Sequence, residues 1–162
     1  MPDVNGSLSV LSPVRGTALS LETVPDPVFS QGMVGPGVAV HPEPGQEGGQ
    51  EGTQDAVAPM DGILAKLHPH AFVVLADDGR RGVLVHLGID TVKLKGEGFT
   101  LLAREGDRVT AGTPVVRWSP GTVAAGGLPA VVPVVALEAA PADLGDIAEG
   151  GVDGGSVLFT WT

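Results

Sequence analysis

The chain has 162 residues, enough for one domain with its own core, and 43% of them are hydrophobic. A formal net charge of −10 disfavours nucleic acid and anionic membrane as partners and favours a protein with a basic contact surface. The absence of cysteine excludes disulfides, thiolate metal sites and a cysteine nucleophile.

Twenty-five glycines and 14 prolines cut the apolar text into short runs, and no long helical period is visible. This pattern predicts an all-β fold, an antiparallel sandwich or barrel with little helix. Residues 1–10 hold an acidic residue and no basic n-region, so they do not read as a secretory signal. The expectation is a flexible tail that can add an edge strand, followed by a single domain over 11–162. No stretch is long and apolar enough for direct membrane insertion, and a cytoplasmic location fits.

Pro13-Val14-Arg15-Gly16 leads into an apolar-rich strand over 18–22. The same Pro-x-x-Gly phrase returns at Pro59-Met60-Asp61-Gly62, ahead of Ile63 to Leu67. Val24 to Pro36 reads as a loop with an apolar tip, whose Phe29 and Met33 either pack beneath it or form a rim that docks a partner. Val38-Ala39-Val40 is a short strand, and His41 reads as an ordinary surface histidine. Residues 43–55 are Gly, Gln and Glu-rich, too low in complexity to pack, and are expected as a surface loop.

The most informative stretch is His70 to Phe99. Apolar runs at 71–76 and 83–87 suit two strands joined by a polar turn, with a histidine bounding each run. If Asp77-Asp78-Gly79 is a three-residue loop ending in a left-handed glycine, Ala76 faces Arg80 and His70 faces His86. The two imidazoles then share a face, with Cβ atoms roughly 4.5–5.5 Å apart. A two-residue loop, Asp78-Gly79, puts them on opposite faces. Adjacent imidazoles can bind a metal, relay a proton, or let one act as nucleophile while the other steadies the transferred group. Leu84 and His86 share one face of the second strand and Val83, Val85 and Leu87 the other. Both faces are apolar, so the strand should be covered on both sides, and a histidine there needs partners for its ring nitrogens. Beyond it, 121–127 reads as a loop, 131–137 as a strand interrupted by Pro133, 141–155 as acidic text with one helical turn at most, and 157–161 as the closing strand.

Three separated motifs carry a family resemblance. Val85-His86-Leu87-Gly88-Ile89-Asp90-Thr91-Val92, followed by Gly96-Glu97-Gly98-Phe99, resembles the active-site signature of the glucose-type EIIA domains of the bacterial phosphoenolpyruvate-dependent sugar phosphotransferase system. His70-Ala71-Phe72 resembles that family's second histidine motif, and Val24 to Met33 its early signature. The resemblance runs from about Ser12 to Val135. It implies a barrel-sandwich hybrid with a duplicated half-barrel motif. It also implies a cytoplasmic phosphocarrier that takes a phosphoryl group from phospho-HPr and passes it to the cysteine of an EIIB domain for sugar uptake. By that resemblance His86 is the phosphorylated nucleophile, the backbone carbonyl of Gly88 orients it, His70 stabilises the phosphate and Asp90 supports. Val28, Phe29, Val38 and Phe72 are then candidates for the partner-binding apolar patch. His68 stands where the family pattern usually has Thr, and it makes His70's orientation an open question.

No cofactor is required for such a relay, although His70 and His86 are candidate zinc ligands. His-x-His spacing at His68 and His70, with His86 and Asp90, also fits a zinc-dependent hydrolase of related β-architecture. A third class is a phosphorylation-dependent regulatory protein that binds target proteins through the apolar patch.

Overall fold

The computed structural model describes residues 7–43 and 53–162. In chain order the strands are β1 (Leu8–Leu11), β2 (Gly16–Ser20), β3 (Gly37–Pro42), β4 (Gln54–Val57), β5 (Gly62–His68), β6 (Ala71–Ala76) and β7 (Gly82–His86). They continue as β8 (Phe99–Leu101), β9 (Arg108–Val109), β10 (Pro114–Trp118), β11 (Val132–Ala136), β12 (Leu144–Gly145), β13 (Gly150–Val152) and β14 (Val157–Trp161). Two short helices, α1 (Pro27–Ser30) and α2 (Pro120–Ala125), and a few single 3₁₀ turns complete the described chain. The strands pair antiparallel throughout, in sheets ordered β1-β14-β12, β4-β10-β8 and β13-β2-β3-β11-β7-β6-β5-β9. The sheets stack as a sandwich and do not close into a barrel.

Both Pro-x-x-Gly phrases end on the first residue of a strand. Gly16 opens β2 against the carbonyl of His41, and Gly62 opens β5 against the carbonyl of Leu75. A Cβ at either position would overlap that carbonyl, so the glycine is what lets the neighbouring strand approach.

The central strands of the eight-stranded sheet, β3, β11 and β7, are covered on both faces, which explains their nearly continuous apolar text. Val38, Val40, Val83, Val85, Val132 and Val134 enter the main core with Phe72, Trp118 and Phe159. The alternate residues Ala39, Val131 and Val135 enter a smaller cluster with Leu21, Val24, Phe29 and Ile89, and Leu84 packs on it. Pro133 sits where only β3 flanks β11, because the ladder to β7 begins at Val134. Its missing N–H therefore costs that ladder nothing.

Four local expectations are refined or corrected. The edge strand expected of the N-terminal segment is β1, which holds residues 8–10 on β14 with Val10 fully buried. The 43–55 loop ends earlier, since Gln54 and Asp55 belong to β4 and Gln54 is buried between bonds to Arg15 and Glu43. The parts of those two expectations that fall on 1–6 and 44–52 lie outside the described residues. Residues 121–127 are largely helical, because Ser119 caps α2 by accepting the N–H of Thr122 and Pro120 occupies its first turn.

The fourth correction concerns the histidine hairpin. Ala71 faces His86, Phe72 faces Val85 and Leu75 faces Gly82. Residues 77–80 form a four-residue loop, closed by the N–H of Ala76 on the carbonyl of Arg81. The cause is Asp78. Its Oδ1 accepts the backbone N–H groups of Arg80 and Arg81, at 2.8 and 2.9 Å, and its Oδ2 takes Arg81 Nε at 2.6 Å. Arg80 is thereby drawn into the loop, and the register shifts by one residue from the three-residue expectation.

Candidate functional site

In that register, strict alternation would separate His70 from His86. They meet because His70 is not a strand residue. His68 pairs with Ala71, so Pro69-His70 is the two-residue turn between β5 and β6, and its side chain is released from strand alternation. The N–H of Leu87 donates to the His70 carbonyl at 2.7 Å and ties this turn to the end of β7. The imidazoles stand 5.3 Å apart, edge to face at 73°. His68 stacks on His70 at 5.8 Å and 27°, and Phe29 lies 5.3 Å from His86, tilted at 57°. Four rings thus form a row: Phe29, His86, His70, His68.

The loop after β7 orients His86. Its Nδ1 is bonded to the carbonyl oxygen of Gly88. A carbonyl oxygen only accepts, so Nδ1 carries the proton and Nε2 keeps its lone pair. Gly88 has φ +80, and a Cβ there would lie 2.7 Å from Thr91 Cγ2 and 2.9 Å from the Pro129 carbonyl. Thr91, fully buried, donates to the Leu87 carbonyl at 2.7 Å, and the N–H of Ile89 donates to Pro129 at 2.9 Å.

Burial lowers the proton affinity of His86, while the Gly88 carbonyl and the carboxylates of Asp26 and Asp90 oppose it; the net shift is downward. His70 is lowered as well, first by burial and then by the like charge of His86 and His68. Both rings are therefore neutral at pH 7. Asp90 is exposed in the left-handed region at φ 61, and its carboxylate lies 4.0 Å from Lys93. It acts on His86 through its charge.

Asp26 carries no role in the sequence reasoning, yet its charge reaches His86. The legible signal is Asp26-Pro27, a helix cap followed by proline: the Asp26 carboxylate accepts the N–H of Val28 at 2.9 Å and sets α1, which places Phe29 on the imidazole.

The partner-binding set needs correction. Val28 is 41% exposed, but Val38 and Phe72 are each 1% exposed and point into the main core. Phe29 is 6% exposed and covers His86 from beneath α1. Met33, at 68%, and Val92, at 59%, are exposed apolar side chains in the segments after α1 and β7 that this set omits. The hydrolase reading is corrected too. Among the described residues no group of three or more His, Cys, Asp or Glu is placed to hold a metal, so His68, His70, His86 and Asp90 do not form a ligand set. Ring stacking turns His68 against His70 instead. No helix among the described residues is long and apolar enough to cross a membrane.

Residues 8–141 match the family model of the phosphoenolpyruvate-dependent sugar phosphotransferase system, EIIA 1. The glucose-specific EIIA component of Oceanobacillus iheyensis is 35% identical over 130 residues, covering 79% of this chain and 73% of the relative. The mannose-specific EIIBCA component of Corynebacterium glutamicum is 37% identical over 135 residues, 82% of this chain. The chain spans only 18% of that relative's length, and 21% of the glucoside-specific EIICBA component of Staphylococcus carnosus. Among solved structures, glucose permease IIA from Mycoplasma capricolum superposes with a TM-score of 0.86 at 31% identity, covering 99% of each chain.

Proposed function

The chain belongs to the glucose-type EIIA family of the phosphoenolpyruvate-dependent sugar phosphotransferase system, and on that premise we propose that it is a phosphocarrier working through His86. The observation that carries the proposal is the Gly88 carbonyl on Nδ1, which leaves a neutral ring with its Nε2 lone pair available beside His70. Neutral imidazole is a competent nucleophile near pH 7.

Phospho-HPr is the donor. The Nε2 lone pair forms a P–N bond, and the P–N bond to the donor histidine breaks with its electron pair returning to the donor ring. His70 donates a ring N–H to the phosphoryl oxygens. Catalysis of this kind is mostly positioning and charge stabilisation. In the second step a thiolate of an EIIB domain attacks phosphorus, and the electron pair of the P–N bond returns to Nε2. Asp26 and Asp90 place negative charge near the phosphorylated ring, which raises its energy and keeps the group transferable. The relay runs in the cytoplasm, and the choice of sugar belongs to the membrane component that follows EIIB.

The test is incubation with labelled phosphoenolpyruvate, enzyme I and HPr. Acid-labile label is expected on the wild type, none on His86→Ala, and label that is retained but not passed on in His70→Ala. An unlabelled wild type, with enzyme I and HPr shown to be active, would overturn the proposal.

A further inference from the structure

We infer that His68 is a positioning residue for phosphoryl transfer: its imidazole stacks on His70 and holds that ring edge-on to His86. The inference rests on the relay through His86. The backbone of His70 is well anchored, through its carbonyl on Leu87, but the ring itself makes no hydrogen bond among the described residues. Its contacts with other rings are the edge-to-face meeting with His86 and the stack with His68. A half-exposed side chain on a two-residue turn otherwise samples several rotamers, and freezing it at the moment of transfer slows the step.

His68 is well placed to do the holding in advance. It is the last residue of β5, paired with Ala71, so its own backbone is fixed by the ladder. It is exposed, so its replacement leaves the core untouched. The stack of 5.8 Å at 27° lies within the range of offset aromatic pairs. Burial first, then His86 and then His68, disfavours protonation of His70. The ring that must present an N–H to an incoming phosphoryl group is thus held both in place and neutral before the group arrives.

The experiment uses the full chain with His68→Ala and His68→Phe. Phe keeps the stack and removes the nitrogens. In His68→Ala, labelling of His86 by phospho-HPr is expected, while passage to the acceptor thiol slows about 5–10-fold; Phe is expected to restore passage to within about twofold of wild type. In the unphosphorylated protein, side-chain couplings of His70 read by NMR should report one χ1 rotamer in the wild type and the Phe variant and averaging in the Ala variant. The His70 titration midpoint should rise in both variants, because both lose the like charge. Unchanged His70 couplings in His68→Ala would overturn the inference, and so would wild-type passage by that variant. Passage equally slow with Phe and Ala would overturn it as well, by assigning the effect to the His68 nitrogens. The coupling measurement requires no phosphoryl transfer, so it separates failure of this inference from failure of the relay.

Discussion

Replacing Gly88 with alanine tests whether the loop after β7 sets the reactivity of His86. The backbone at 88 has φ +80, a region in which an alanine costs about 1–2 kcal/mol relative to glycine. The new Cβ would also lie 2.7 Å from Thr91 Cγ2 and 2.9 Å from the Pro129 carbonyl. Thr91 is fully buried and bonded to Leu87, so it cannot swing away, and overpacking adds about 1–3 kcal/mol. Together these predict a loss of about 2–5 kcal/mol in urea unfolding. Relief of the clash moves the Gly88 carbonyl off His86 Nδ1, and losing an orienting bond of about 1 kcal/mol slows phosphoryl acceptance about 5–10-fold. Stopped-flow transfer from phospho-HPr measures the second effect. Thr91→Ser removes the clashing methyl and keeps the hydroxyl, so the double variant should be more stable than the two single losses added together, by about 1 kcal/mol. A Gly88→Ala protein of wild-type stability would refute the steric argument. A destabilised one with wild-type transfer would refute the orienting role of the carbonyl.

Two further predictions concern pH and the hairpin. His70 and His86 have folded proton affinities below the ordinary 6.5, so between those values and 6.5 the unfolded chain binds more protons than the folded one. Stability contributed by keeping them neutral is complete above 6.5 and is lost as pH falls through that value; the urea midpoint should drop from pH 7.5 to 5, and a flat or rising midpoint would contradict the shifts. Arg81 is 6% exposed, bonded to Asp78 and to the Trp161 carbonyl at 2.8 Å, and its guanidinium lies 6.0 Å from the Trp161 ring. Arg81→Leu should cost about 3 kcal/mol in thermal or urea unfolding by stranding the Asp78 carboxylate and the carbonyl. Burial alone would raise Asp78, but the bonds from Arg81 and Arg80 outweigh it and hold the carboxyl at about 2. Its stabilising contribution, about 1–2 kcal/mol after solvent screening, is present above 3.8 and lost as pH falls toward 2. Arg81→Leu should shrink that acid dependence to the part carried by the backbone N–H groups of residues 80 and 81, and an unchanged acid limb would refute the side-chain pairing.

Much of the fold was legible along the chain because it depends on local chemistry. Gly16 and Gly62 announce strands that begin under a neighbour's carbonyl, and alternating valines with apolar residues on both faces announce a sheet covered twice. His86-Leu87-Gly88, with Asp90 and Thr91, marks the loop whose backbone orients the His86 ring. Ser119-Pro120 was an equally local signal for α2, outweighed by the glycines around it.

What lay beyond sequence reasoning was set by side-chain bonds and packing that strand text does not state. Whether Arg80 belongs to a turn or a strand depends on three bonds to one carboxylate, and that choice moved every partner in the hairpin by one residue. The sequence therefore determined that two histidines and a glycine carbonyl would share the site. Only the tertiary structure decided how. His70 reaches His86 from a turn rather than across a ladder, Phe29 is buried against the imidazole, and Val38 and Phe72 point inward. Strand text has a period of two and cannot state its register, while side-chain direction follows register residue by residue.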